Sequence, residues 1–248
     1  MAKTAGMGDR LYLAGYDVSG DVGSISRIAG GPRPLGVTGI NKEAQERLGG
    51  IRDGGLDFMS FFNPAAAQAH ARLSPLPTTN VLGTYLRGTT IGNPAASCVA
   101  KQVNYDPNRG ADGSLTMGVQ LQSNGFGIEW GDQLTAGART DTGATAGTAV
   151  DFTAGSSFGL QAYLQVTAFS GTDVTITIQE SSDNAGDAYA NVVGGAFASV
   201  TGITSERIAT ATNLAVERYL KVTTSTTGGF TSVTFVVMVV RNGAVPTF

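Results

Sequence analysis

Residues 37–63 read VTGINKEAQERLGGIRDGGLDFMSFFN. Asn41 is a good N-cap, since its side-chain oxygen can accept one of the orphan N–H groups of a first helical turn. Glu43 would sit in that turn, where the helix dipole favours a carboxylate. Lys42 to Leu48 are mostly good helix formers, and Gly49 and Gly50 are suited to ending a helix. Arg52-Asp53-Gly54 then reads as a turn. Leu56, Phe58, Ser60 and Phe62 alternate with Asp57, Met59, Phe61 and Asn63, which is the period of a strand. The stretch thus predicts a short helix, a glycine turn and a strand apolar on both faces. Such a strand belongs in the centre of a sheet or in a contact between subunits.

Upstream, residues 1–10 read as an arm, and Leu11–Asp17 (LYLAGYD) as one strand. Residues 18–34 are rich in Gly and Ser and carry no clear period. A loop of that length is uncommon in a compact domain and tends to be functional or docked on a partner. Within it, Val22–Ile28 has the composition of a short pairing segment. Downstream, Asn63 and Pro64 fit the start of a second helix over Ala65–Leu73, which Pro75 and Pro77 end.

Val81–Arg87, Ala96–Tyr105 and Ser114–Gln122 read as strands, the last two as a hairpin across the turn-rich DPNRGADG. Leu115, Met117, Val119 and Leu121 alternate with Thr116, Gly118, Gln120 and Gln122. That pattern places one face in a core and the other in water. Ser123-Asn124-Gly125 is a hairpin signal leading into Phe126–Gly131. Trp130 is expected to anchor a core or an interface edge.

Residues 135–147 (TAGARTDTGATAG, counted from Thr135) have linker composition. This divides the chain into 1–134, a linker at 135–147, and 148–248. The last part alternates cleanly: Leu160, Ala162, Leu164 and Val166 against Gln161, Tyr163, Gln165 and Thr167, then Val174, Ile176 and Ile178 against Thr175, Thr177 and Gln179. Ser170-Gly171 between these runs reads as a hairpin turn. Further strands are expected at Ala196–Val200, Glu206–Thr210, Ala215–Thr223 and Thr231–Val240. Such a series points to a β-sandwich of Ig-like or jelly-roll type. Phe235–Val240 is apolar on both faces and should be central.

The chain has 248 residues, 14% of them charged, 35 glycines and a net charge of −3. Charge this low suits a surface covered by neighbouring copies. No basic footprint for nucleic acid exists. The N-terminal MAKTAGMGDR lacks the apolar core of a signal peptide, and the longest apolar run falls far short of the ~20 residues of a membrane helix. With one His and one Cys, a hydrolytic triad would have to use His70 or Cys98, and neither sits in a nucleophile motif. His70 lacks a second His or Cys for a metal and reads as a packing residue. Cys98 reads as a small apolar residue. Ser182-Asp183-Asn184 with Asp187 offers oxygens but not a calcium-loop pattern, so an Asx-rich turn is the better reading. The sequence therefore predicts no catalytic, cofactor-binding or metal-binding residues, no cofactor, and no enzyme.

The order helix, Gly50-Ile51-Arg52-Asp53-Gly54, then Leu56 and Phe58, resembles the tail tube proteins of long-tailed, siphovirus-type bacteriophages. In that family a short helix ending in a Gly-Leu-Arg/Lys-Asp-Gly turn feeds a strand of the tube sheet. Here Ile51 replaces the leucine. The resemblance implies a mainly β chain: a tail-tube-like β-sandwich or barrel with one or two short helices over 1–134, and a C-terminal β-sandwich decorating the outside over 148–248. It implies a virion structural protein, made in the host cytoplasm and located in the phage tail. Copies would join their sheets in hexameric rings, which stack helically into a tube for DNA that is not specifically bound. The partners implied are further copies, the tape measure, the tail terminator and the baseplate, with no membrane. The loop at 19–35 would reach the same or the next ring, and Gln120 and Gln122 would face the lumen. Two other readings follow from a non-enzymatic β protein. One is a capsid decoration or other head protein. The other is a carbohydrate-binding virion module, for which the C-terminal half offers Tyr163, Phe169, Tyr189, Phe197, Tyr219 and Phe230 but no Trp.

Overall fold

The computed structural model describes residues 5–244; the first residues of the expected N-terminal arm (1–4) lie outside them. The fold is mainly β. Its strands are β1 (Arg10–Leu13), β2 (Tyr16–Asp17), β3 (Val22–Gly36), β4 (Arg47–Phe61), β5 (Val81–Leu86), β6 (Pro94–Arg109), β7 (Leu115–Ser123), β8 (Glu129–Gln133), β9 (Arg139–Asp141) and β10 (Val150–Asp151). They continue with β11 (Leu160–Gly171), β12 (Thr175–Ser181), β13 (Ala190–Ala196), β14 (Thr204–Ala209), β15 (Tyr219–Ser225) and β16 (Phe230–Arg241), and one helix, α1 (Ala69–Leu73), lies between β4 and β5. All ladders are antiparallel. One sheet of 12 strands bends so that its parts stack on one another, and a 4-stranded sheet runs β10-β15-β12-β13.

Three apolar cores separate four β layers. The first holds Leu160, Ala162, Leu164 and Val166 of β11 and Val233, Phe235, Val237 and Val239 of β16 against Ile176, Ile178, Leu220 and Val222 of the small sheet. That is the C-terminal β-sandwich. The second joins the opposite faces of β11 and β16 (Tyr163, Val236, Met238) to Tyr12, Leu82, Leu86 and Ala95. The third joins Leu11, Leu13, Ala96, Cys98 and Ala100 to Leu56, Phe58, Val119 and Leu121, with Ala69 and Leu73 of α1 closing it. Strand alternation sets this order, because successive side chains point to opposite faces. Tyr12 faces one core while Leu11 and Leu13 face the other.

Strand β6 ties the layers together. Its first part pairs with β8 and β5. Past a register shift between Gln102 and Asn104 it continues alongside β7 alone. Strand β16 is central as expected, flanked by β11 on one side and by β8 and β9 on the other. Within 135–147, β9 pairs with Val233, Thr234 and Phe235 of β16, and Arg139 donates to Asp141 and to the Val222 and Thr145 carbonyls.

Several expectations are corrected. No helix forms over Lys42–Leu48; Arg47, Leu48, Gly49 and Gly50 lie in β4, and Arg52-Asp53-Gly54 runs through the same strand instead of turning. An isolated helix of two turns is marginal in water without a packed face, and here pairing with β3 satisfies the backbone along the whole strand. The segment expected as a loop, 18–34, is mostly β3. Its Pro32 and Pro34 are tolerated because β3 is an edge strand. Leu11–Asp17 is a hairpin, not one strand. Ala14 and Gly15 both take positive φ (46° and 85°), which is the two-residue turn that matches strand twist. The second helix is only Ala69–Leu73. Asn63 Oδ1 accepts the Ala65 N–H at 3.2 Å, so it makes a local turn and not the helix cap.

Neither expected hairpin after Asn124 or at Ser170-Gly171 forms. Strand β8 pairs with β6 and β16, while β11 and β12 belong to different sheets and the chain crosses between layers there. The strand expected over Ala196–Val200 lies earlier, as β13; Val200 makes only an isolated bridge to Val174. The polar face of β11 is not wet: Gln161 and Gln165 are buried beneath the N-terminal strands.

Gln165 shows why an amide is placed in a core. Its Oε1 accepts the Gly15 N–H at 2.7 Å, and its Nε2 donates to Leu82 O at 2.9 Å and to Thr84 Oγ1 at 3.1 Å. Gln165→Leu leaves those groups unpaired, and chemical denaturation is expected to show a loss of roughly 2–3 kcal/mol. Burial pushes the Cys98 thiol up to about 12. A thiol reagent at about pH 8 is therefore expected to label Cys98 only at the rate of unfolding; fast labelling of native protein would contradict its burial.

Candidate assembly surface

The distal half of β6, with β7, β4 and β3, forms a curved four-stranded face over the third core. Leu56, Phe58, Val119 and Leu121 point inward, so the residues between them must point out. Across the strands the register sets Asn104 beside Gln120, Gln120 beside Asp57, and Asp57 beside Arg27. The next row holds Asp106, Gly118, Met59 and Ser24. Arg27 Nη1 lies 3.6 Å from Asp57 Oδ2, and Asn104 Nδ2 donates to Asp106 Oδ2 at 2.7 Å. Amides, the Arg27–Asp57 pair, the Asp106 carboxylate and Met59 thus form this outward face. Gln120 and Gln122 are on it, as the alternation predicts. Asp57 lies on the face that its alternation with Leu56 and Phe58 gives it, whereas the period of Asn104 and Arg27 is hidden by the shift in β6 and the glycine-rich β3.

Both margins of this face are open. β3 pairs only with β4, and past Ala100 the described residues place no strand beside β6 other than β7. An unpaired margin presents a row of backbone donors and acceptors that can template another strand.

Beyond Gly55 the third strand ends, and β3 and β4 continue as a two-stranded arm. At ~3.3 Å per residue, the stretch 30–36 spans roughly 20 Å. The arm carries Leu35, Val37, Ile40, Leu48 and Ile51 to solvent, with Ile40 fully exposed and Ile51 at 88%. Gly50-Ile51-Arg52-Asp53-Gly54, the residues that carry the sequence resemblance, lie along it. At its root, Asp53 Oδ1 accepts from the Gly54 N–H (2.7 Å), Gln122 Nε2 (2.7 Å) and Ser123 Oγ (3.3 Å). These bonds, the Gly54 backbone first, lower the Asp53 carboxyl below its usual range.

The far end of β4 is aromatic. Phe61 and Phe62 are exposed, Phe62 packs on His70 at 4.7 Å, and His70 Nδ1 is 3.1 Å from the Tyr105 hydroxyl. Asp21 organises this end: its Oδ1 accepts from Asn63 Nδ2 at 2.8 Å and its Oδ2 accepts the Ala69 N–H at 3.0 Å. Trp130, in β8 between β6 and β16, is half-exposed and meets Tyr85 edge-on.

Among the described residues no group of three or more His, Cys, Asp or Glu is placed to hold a metal. Asp183 accepts the Ala185, Gly186 and Asp187 backbone N–H groups, which is the Asx-type turn expected there. The aromatics of the C-terminal half do not form a row. Tyr163 and Phe197 are core, Phe169 and Phe230 pack against the first core, and Tyr189 packs beneath the Lys221 ammonium. A groove of about 670 Å³ runs between β3 and the segment 6–11, with Tyr85 and Trp130 also lining it. No described helix is long and apolar enough to cross a membrane.

No family model matches the sequence, and no curated protein matches it. Among solved structures, the chain is similar to a component of the native gene transfer agent virion, with 14% identity over 50% of this chain and 95% of that one and a TM-score of 0.40. It is similar to a component of the tail of an empty gene transfer agent particle with C6 symmetry, with 15% identity over 42% and 78% and a TM-score of 0.35. It is also similar to the Dit protein of phage SPP1, with 12% identity over 93% and 98% and a TM-score of 0.34.

Because Asp21 supplies the anion at the start of α1 from a distant loop, Asp21→Ala is expected to cost about 1–2 kcal/mol. Amide exchange should then show α1 opening before the strands; uniform loosening would assign Asp21 a different role.

Proposed function

We propose that the chain is a structural protein of a phage-like virion that assembles with identical copies into rings, stacked as a tail tube. The observation that carries this reading is the four-stranded face with both margins bare and one face dry. A sheet open on opposite sides pairs head to tail, and a head-to-tail contact closes into a ring when the rotation permits. Closure removes both edges. The margin of β3 would meet the distal half of β6 in the next copy. The row Arg27, Asp57, Gln120 and Asn104 would then line the inside. Such a lining hydrates a passing polyanion without holding it, as a lysine-rich wall would.

Six copies per ring, the helical stacking, and the tape measure, tail terminator and baseplate as partners come from the resemblance to tail tube proteins. So does a passing DNA that is not specifically bound. In this reading residues 1–134 form the tube body, 148–248 the outer β-sandwich, and 135–147 the connection between them. The arm, with Ile40 at its tip and Ile51 along its side, would bury itself on a copy in the adjoining ring.

Electron microscopy of the purified protein at high concentration tests this. Six-fold rings that stack into hollow tubes are the expected outcome. Ile40→Lys with Ile51→Lys should keep the monomer within about 0.5 kcal/mol, since both side chains are exposed, and should abolish stacking. A protein that stays monomeric when crowded would overturn the ring. Trimers would favour a capsid decoration protein, and a signal on a glycan array the carbohydrate-binding alternative.

A further inference from the structure

The arm projects from a root made almost wholly of glycine: Gly30 pairs with Gly54, and Ala29 with Gly55. Glycine here does not serve looseness. A Cβ on Gly54 would lie 2.8 Å from Ile128 N and 2.9 Å from Ile128 Cγ1, and one on Gly30 would lie 3.1 Å from Ile128 Cβ. The loop between β7 and β8 is therefore pressed onto the root, and Ile128 wedges against both arm strands. Gly127, at φ +75°, brings that loop's backbone over Asp53, where a Cβ would lie 3.4 Å from the Asp53 carbonyl oxygen. On its other side the same loop holds the C-terminal layers. The Arg207 guanidinium of β14 lies 3.8 Å over the Phe126 ring. Arg207 also forms a two-point contact with Glu129, Nε to Oε2 at 3.0 Å and Nη2 to Oε1 at 3.1 Å. The Tyr163 hydroxyl donates to the same carboxylate. Glu129 is 4% exposed and Tyr163 fully buried.

We propose that residues 126–129 are a bracket that fixes the arm's direction to the C-terminal sandwich, with Phe126 and Ile128 as positioning residues. The sandwich grips Phe126 and Glu129 through Arg207, and Ile128, two residues along from Phe126, grips the glycine root. A shift of β14 is then transmitted to the arm tip over a short chain of direct contacts. Tight packing transmits such shifts because little void remains to absorb them. The bracket lies within one copy and operates whether or not copies form rings.

Hydrogen exchange on the dilute full chain tests it from both sides. Phe126→Ala removes the ring from beneath Arg207 while leaving the Arg207–Glu129 contact, and its side chain is only half-buried, so the fold should persist. Gly54→Ala pushes the wedge off the root while leaving the Arg207 contacts in place. Both are expected to speed exchange over residues 52–56 about tenfold or more, with the amides of β11 and β16 unchanged. Unchanged exchange at the root in Phe126→Ala would overturn the proposal. So would an equal rise at the root and in β11 and β16, since the loop would then be a general strut. Neither result bears on ring formation, which is read at high concentration.

Discussion

Strands that are apolar at nearly every position have no side to give to water, and that constraint shapes the whole molecule. β11 and β16 carry valine, leucine and phenylalanine toward one core and tyrosine, valine and methionine toward another. A two-layer sandwich could cover only one of those sides. The N-terminal strands β1, β5 and β6 cover the other, and they in turn need β4, β7 and α1 behind them. Each added layer hides the back of the one before. Burial of apolar area at roughly 25 cal/mol per Å² is the drive. Among the polar groups caught between layers, Gln165, Thr84 and Ser97 are paired, whereas the Oε1 atoms of Gln102 and Gln133 have no partner among the described residues.

The outermost N-terminal layer breaks the rule, and it is the layer on which the ring proposed above rests. Its outward face is polar, its margins are unpaired and its arm carries apolar residues into solvent. Each of these is costly for a solitary chain and sensible for one that meets identical neighbours. Proline at Pro32, Pro34 and Pro107, on the two marginal strands, limits which stretches of those edges can accept a partner strand.

The sequence made the buried layers legible because burial writes a period into it. β7, β11 and β12 follow from alternation, with the outward placement of Gln120 and Gln122, and β16 follows from its unbroken apolar run. The arm left no such trace. Both faces of residues 30–36 and 47–53 meet solvent, so no alternation is imposed, and glycine and proline obscure strand propensity. Lys42–Leu48 then reads as a helix on local preference alone, whereas pairing with β3 at a distance decides its neighbourhood. Likewise the Ser170-Gly171 turn chemistry is real, but the strands it joins part into different sheets. A polar residue on β11 reads as wet because sequence does not say that a second unit lies on top. The Arg27–Asp57–Gln120–Asn104 row needs the register of four strands, which only the fold supplies.

The place of β16 carries a consequence of its own in time. It is the last strand of the described chain, yet it lies between β11 and β8. Contacts so distant in sequence slow folding. Until β16 inserts, the backs of β1 and β5 stay uncovered, and the nascent polypeptide cannot finish even its earliest layers. Strand β16 must therefore have emerged from the ribosome before the N-terminal layers can close over their own cores.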